Sequence, residues 1–271
     1  LRIPLSLSAH GNLGIDVRKL VDAGVDMLNL SSSFYTAQQS DVAKIRELAP
    51  EVALYHEMSH VTAPIRLERK RQSYTASIFP RTCDEQFYTT ALLARKRGAD
   101  GVSLWNFVYY RGDLVTEDVD TKEPPFHVLR HLDDTKWLAN RKQYYFLGRW
   151  PFMDRLDMPR KVTAQNEEVF HMDLYLPDDP KNTFARLRVH TKEPIPDDIS
   201  FIVGVNGENV DGTHDISAFY NNPWDDMISN DKKRRAWLCP VKLLKNGQNA
   251  ITISLKGSKG LTVQYIDMAL W

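Results

Sequence analysis

The 271 residues are 42% hydrophobic and 26% charged, an ordinary globular balance that excludes a disordered chain. Lysine plus arginine equals aspartate plus glutamate at 35 each, so no net field draws the chain to nucleic acid or a membrane surface, and no apolar run reaches the roughly 18 residues of a membrane span. The two cysteines, Cys83 and Cys239, exclude a disulfide framework and a cysteine-built metal centre.

The chain opens on Leu1-Arg2-Ile3-Pro4, already inside a predicted strand and without Met, the start expected of a processed or truncated chain. Up to about residue 135, short apolar runs alternate with amphipathic ones. Predicted strands cover Leu1–Ala9, Val25–Ser31, Val52–His56 and Gly101–Tyr109, each bounded by polar residues or glycine as buried parallel strands are. Between them, helices are predicted over Ile15–Ala23, Ala37–Leu48 and Asp84–Arg97, and a fourth follows around Pro125–Leu132. Ala23-Gly24-Val25-Asp26 and Gly98-Ala99-Asp100-Gly101 repeat one device, a glycine ending a helix just before the next strand.

Four βα units predict a parallel sheet covered by helices. A doubly wound domain would want a Gly-rich phosphate turn after the first strand. The chain instead carries polar and aromatic tails after each strand, where barrel enzymes place their chemistry. The expectation is α/β plus all-β: residues 1–136 as the C-terminal half of a TIM-type (β/α)8 barrel, and residues 137–271 as an antiparallel, jelly-roll-like β-sandwich. Strands for the second part are predicted over Glu168–Leu176, Ala185–His190, Ile199–Val205, Ala250–Leu255 and Leu261–Leu270. Turn signals at Asn206-Gly207, Asn246-Gly247 and Gly257–Gly260 break them.

The stretch Gly98–Arg111 and the opening Leu1–Leu30 resemble the last barrel strands of uncharacterised bacterial glycoside-hydrolase-like proteins, through Gly98-Ala99-Asp100-Gly101, Trp105-Asn106-Phe107 and Gly14-Ile15-Asp16-Val17. Val203–Glu208 and Leu243–Ile253 are similar to turns and strands of jelly-roll carbohydrate modules. The resemblance implies a hydrolase acting on an oligo- or polysaccharide without a cofactor, whose first four βα units lie on the same precursor or on a partner chain. Such a precursor with a signal peptide would be periplasmic or secreted. If the strands here are the fifth to eighth, Tyr55-His56-Glu57 ends the seventh, where retaining glycosidases of this barrel carry their nucleophile, so the resemblance makes Glu57 the catalytic carboxylate. Its acid/base partner would come from the fourth strand, which the chain lacks.

Polar and aromatic residues at the strand ends complete a candidate sugar site of His10, Tyr35, His56, His60, Trp105, Asn106 and Tyr110. Alternation aims Trp105 and Phe107 to one side and Asn106 to the other. The basic run Arg66–Arg71 is a candidate rim for an anionic sugar. Two other readings stand beside this one. A barrel scaffold can bind sugar without cleaving it, and His56-Glu57-Met58-Ser59-His60 matches the zinc-hydrolase pattern His-Glu-x-x-His, which works only on a helix. In the second part, Asp178-Asp179 and Asp225-Asp226 are candidate calcium ligands, and His214, Trp224 and Trp237 a candidate sugar face, with solvated loops and core as the simpler readings.

Overall fold

A computed structural model describes residues 1–5, 7, 14–32, 35–62, 80–108, 124–148, 158–217, 228–257 and 259–270. His10, Tyr110, the run Arg66–Arg71, Trp224 and Asp225-Asp226 lie outside the described residues. The chain divides into two compact units, one within Leu1–Leu138 and one from Ala139 onward.

The first unit carries a four-stranded sheet of β1 (Arg2–Pro4), β2 (Met27–Ser31), β3 (Ala53–Ser59) and β4 (Gly101–Trp105). The strands are all parallel and stand in sequence order. Helices α1 (Val17–Asp22), α2 (Val42–Leu48) and α3 (Asp84–Lys96) connect them. Asp16 caps α1 by accepting from the Lys19 backbone N–H at 3.1 Å. In α3, Asp84 and Glu85 open the helix and Arg95 and Lys96 close it, matching its dipole at both ends. Gly24 and Gly98 sit at φ +94° and +100° just past α1 and α3, the left-handed turn that only glycine adopts without cost. Arg46 of α2 then fixes the entry to β4, pairing with Asp100 at 2.5 Å and donating to the Gly98 carbonyl at 2.8 Å.

One face of this sheet is apolar. Ile3, Leu28, Leu30 and Leu54 pack with Val17, Val42, Ile45 and Ala94 in a single buried cluster. The predicted fourth helix is a 3-10 segment, Phe126–His131. After it comes α4 (Thr135–Ala139).

The second unit contains β5 (Gln143–Gly148), β6 (Arg160–Val162), β7 (Glu168–Leu174), β8 (Phe184–Thr191), β9 (Ser200–Val205), β10 (Glu208–Asn209), β11 (Asp211–Thr213), β12 (Arg234–Pro240), β13 (Gly247–Lys256) and β14 (Leu261–Leu270). They form two antiparallel sheets, ordered β10-β9-β13-β7 and β11-β12-β8-β14-β5, with β6 also on β14. Phe201 of β9 meets Trp237 of β12 edge-to-face at 5.7 Å, so side chains of the two sheets touch. Trp237 is 5% exposed and belongs to the core, not to a sugar face, while Asp178 and Asp179 are exposed.

The opposite face of the longer sheet buries charge. Arg188 and Asp267, both 0% exposed, form a two-toothed ion pair at 2.8 and 3.1 Å. The same carboxylate accepts from His190 Nε2 at 2.7 Å, and His190 Nδ1 meets the Ser229 hydroxyl at 2.7 Å. Burial holds His190 below the usual histidine range against the opposing pull of Asp267, and Arg188 and His190 hold the Asp267 carboxyl low despite its burial. Every member has a partner, which makes so buried a network tolerable.

Candidate functional site

Side chains on a strand alternate between faces, so the face of the first sheet opposite the apolar cluster receives Arg2, Asn29, Ser31, Tyr55, Glu57, Ser59, Ser103 and Trp105, with Pro4, Met27 and Ala53 beside them. Arg2, Asn29, Ser31, Glu57, Ser59 and Ser103 are its polar members. Glu57, 4% exposed, is their centre. Its Oε1 accepts from Arg2 Nη2 at 2.6 Å and from the Ser31 hydroxyl at 2.5 Å, and its Oε2 accepts from Asn29 Nδ2 at 3.1 Å. Ser103 donates to Asn29 Oδ1 at 2.8 Å, which fixes the Asn29 amide with its N–H toward the carboxylate. Arg2 also lies over the Trp105 ring, 4.1 Å from its centroid. The Tyr55 ring lies over Gly101, where an added Cβ would stand 2.7 Å from Cε1, so this position has room only for glycine.

These contacts climb across the sheet. Arg2 is paired in register with Asn29, and Asn29 with Tyr55, yet Arg2 reaches Glu57, two residues further along and two strands away. Asn29 reaches Ser103, again two residues ahead over two strands, and Arg2 reaches Trp105, four ahead over three strands. In a flat sheet the outer strands would stand about 14 Å apart. The long Arg2 and Trp105 side chains cover that span by leaning toward each other over β2 and β3.

Of the other sequence candidates among the described residues, Trp105 alone joins Glu57, and it is 38% exposed. Asn106 turns the chain at the end of β4 with φ +54°, a left-handed conformation that asparagine tolerates. That turn breaks the predicted alternation: Phe107 does not follow Trp105 but is buried between Phe87 and Phe126 at 5.8 and 5.7 Å. Tyr35 is 8% exposed within the apolar cluster, and burial pushes its phenol up.

His56 points to the helix side, away from Glu57. It is 1% exposed, its Nε2 lies 3.0 Å from the Ala37 carbonyl, and its Nδ1 has no hydrogen-bond partner among the described residues. Burial, with the charge of Arg97, lowers it to about 4. His60 is 5% exposed and lowered to about 3 by burial and by Arg81, with Nδ1 at 3.2 Å from the Ser59 hydroxyl.

The zinc reading is therefore corrected. His56, Glu57 and Ser59 belong to a strand, so His56 and Glu57 face opposite ways and cannot meet His60 one helical turn on. Among the described residues, no three metal-type side chains gather anywhere. Arg2, Asn29 and Ser103 were not among the sequence candidates. Their signal was present as polar residues at alternate positions within otherwise apolar strands.

No known protein family matches the chain, and no curated protein matches it. Among solved structures it is similar to a beta-porphyranase of glycoside hydrolase family 86 from the human gut bacterium Bacteroides plebeius, at 16% identity and TM-score 0.33, over 48% of this chain and 20% of that one. It is also similar to BuGH86wt in complex with neoagarooctaose, at 18% identity and TM-score 0.33, over 48% and 19%. The chain thus spans about a fifth of the length of these solved chains.

Proposed function

We propose that the first unit is the second half of a (β/α)8 barrel, that the second is a jelly-roll-like β-sandwich, and that the polar sheet face is a sugar site of a glycoside-hydrolase-like protein. The observation that carries this reading is Glu57, a carboxylate taken by three donors on the polar face of a parallel sheet and standing beside a half-exposed tryptophan. The slope of the contacts supports the barrel, because about one residue of climb per strand is the stagger with which eight strands close. Composition supports it too, since parallel sheets are covered on both faces and this polar face retains exposed Arg2 and Trp105 side chains. A missing barrel half, on the same precursor or a partner chain, would enclose it.

Glycosidic cleavage takes two carboxyl groups, about 5–5.5 Å apart when configuration is retained. Glu57 supplies one, with both oxygens placed as acceptors, the posture of a nucleophile or charge stabiliser. The strands β1 to β4 place no second carboxylate on this face, so the acid/base falls to the other half. Trp105 supplies an aromatic surface for the apolar side of a pyranose ring.

A second reading, binding without cleavage, draws on the burial of Glu57 and the saturation of its oxygens by protein donors. Reducing-end release from neutral and acidic polysaccharides, measured with the chain joined to its other barrel half, separates the two. Glu57→Gln is expected to lower turnover by roughly 100- to 10,000-fold with binding retained, and Trp105→Ala to weaken binding. Undiminished turnover in Glu57→Gln would sink the catalytic assignment. Binding without turnover even when the chain is joined to its other barrel half would leave the second reading.

A further inference from the structure

Arg2 serves two acceptors at once: its Nη2 is 2.6 Å from Glu57 Oε1, and its guanidinium carbon is 4.1 Å from the centre of the Trp105 ring. A carboxylate and the negative face of an indole both attract a cation, and here they hold the same one from two sides. The Arg2 side chain is 38% exposed and reaches Glu57 from two strands away, so it is the adjustable member of the trio.

We infer that Arg2 is a positioning residue that couples the charge on Glu57 to the stacking surface of Trp105. This rests on the proposed function only in taking Trp105 as the floor of a sugar site. While Glu57 is anionic, the ion pair holds the guanidinium where it covers one indole face. Once that negative charge is neutralised, the stronger of the two attractions is gone, and the guanidinium leaves the ring more often for solvent. The state of the carboxylate is thereby felt at the ring on which a sugar would stack. The groups facing Glu57 among the described residues are Arg2 from β1, Asn29 and Ser31 from β2, Ser103 and Trp105 from β4, and Tyr55 from its own strand. Arg2 is the only one of them that carries a charge near neutrality, so no other ion in that set can transmit the change.

The test is acrylamide quenching of Trp105 fluorescence in the whole chain at neutral pH, isolated by difference from the matching Trp105→Phe protein. Glu57→Gln stands in for the neutral carboxyl. Quenching of Trp105 is expected to rise most in Arg2→Ala, to rise in Glu57→Gln, and to stay near the unaltered level in Arg2→Lys, which keeps the charge. The ratio of covered to uncovered ring should shift by about 2- to 5-fold, the worth of an exposed cation–π contact. Circular dichroism on each variant separates a local change from unfolding. Unchanged quenching in Glu57→Gln or in Arg2→Ala, or a rise in Arg2→Lys equal to that in Arg2→Ala, would overturn the coupling. No sugar enters the measurement, so a failure to find any carbohydrate ligand would count against the proposed function alone.

Discussion

Replacing Glu57 by glutamine and by leucine should have very different consequences for stability, and the hydrogen bonds around it say why. Glutamine keeps one oxygen for Arg2 and Ser31 but puts an amide N–H₂ where Oε2 accepted from Asn29 Nδ2. Two donors would then meet. The clash is relieved if the Asn29 amide flips, so that its oxygen accepts from the new amide and its N–H turns to Ser103. The Ser103 hydroxyl now donates to Asn29, but it can rotate to accept. What remains lost is the charge opposite Arg2, a pair whose cation is 38% exposed and well screened, worth about 1 kcal/mol. Leucine offers no acceptor at all. Ser31, 4% exposed, and the half-buried Asn29 amide lose this acceptor, and with each such loss costing about 1–3 kcal/mol the total comes to roughly 2–6 kcal/mol. Urea unfolding followed by circular dichroism, with midpoints compared at constant slope, reads both values. A double-mutant cycle tests the flip itself. Ser103→Ala should cost about 0.5–1 kcal/mol more in the Glu57→Gln background, because an unmet amide N–H is costlier than an under-used carbonyl. Equal costs in the two backgrounds, or a leucine variant as stable as the glutamine one, would refute the reasoning.

Three other outcomes follow from the buried groups. His56 and His60 are lowered from 6.5 to about 4 and about 3, so below pH 6.5 the unfolded chain binds protons that the folded chain refuses. Stability should therefore fall with pH from about 6.5 toward 4, by up to about 3 kcal/mol for His56 alone, and urea midpoints across that range should flatten in His56→Gln; an unchanged slope in that variant would contradict the assignment. Asp267→Asn leaves Arg188 buried at 0% exposure without its counter-charge and should cost about 3–5 kcal/mol. The double replacement Arg188→Met with Asp267→Leu should recover much of that loss, and thermal unfolding that ranks the double below the single variant would count against it. Gly101→Ala drives a methyl to 2.7 Å from the Tyr55 ring and should destabilise by about 1–3 kcal/mol, with a smaller penalty when Tyr55→Ser is already present. Equal penalties would show that the ring moves aside freely.

The elements were legible where a local pattern sufficed. Met27–Ser31, Ala53–Ser59 and Gly101–Trp105 are short apolar runs framed by glycine or charge, and β13 and the first half of β14 alternate cleanly around the Asn-Gly and Gly-Ser-Lys-Gly breaks. Asn206 shows what such a break does: at φ +51° its side chain donates to the Leu243 carbonyl and to Asn249, tying two turns together. By contrast, β5 and β12 escaped the sequence reading. Gln143–Gly148 has five consecutive buried residues, and Arg234–Pro240 opens on two arginines, so neither shows the alternation that marks a strand.

What the sequence determined by itself is the βα rhythm of the first unit, the antiparallel strands of the second, and the placing of Glu57 near the end of a strand with Trp105 on a neighbouring one. Hydrophobic period and turn chemistry act within a few residues, so they can be read along the chain. Which polar groups Glu57 meets could not be read so, because its donors Arg2, Asn29 and Ser31 lie 55, 28 and 26 residues away and reach it from neighbouring strands of the sheet. The same holds for Arg186, Arg188 and His190. In sequence they alternate like a solvent-facing edge, yet Arg188 and His190 are wholly buried because Asp267, 79 and 77 residues on, pairs in register with Arg188 and reaches His190 with its other oxygen. Charge is placed inside only where a distant partner arrives to meet it, and that meeting is decided by the tertiary fold alone.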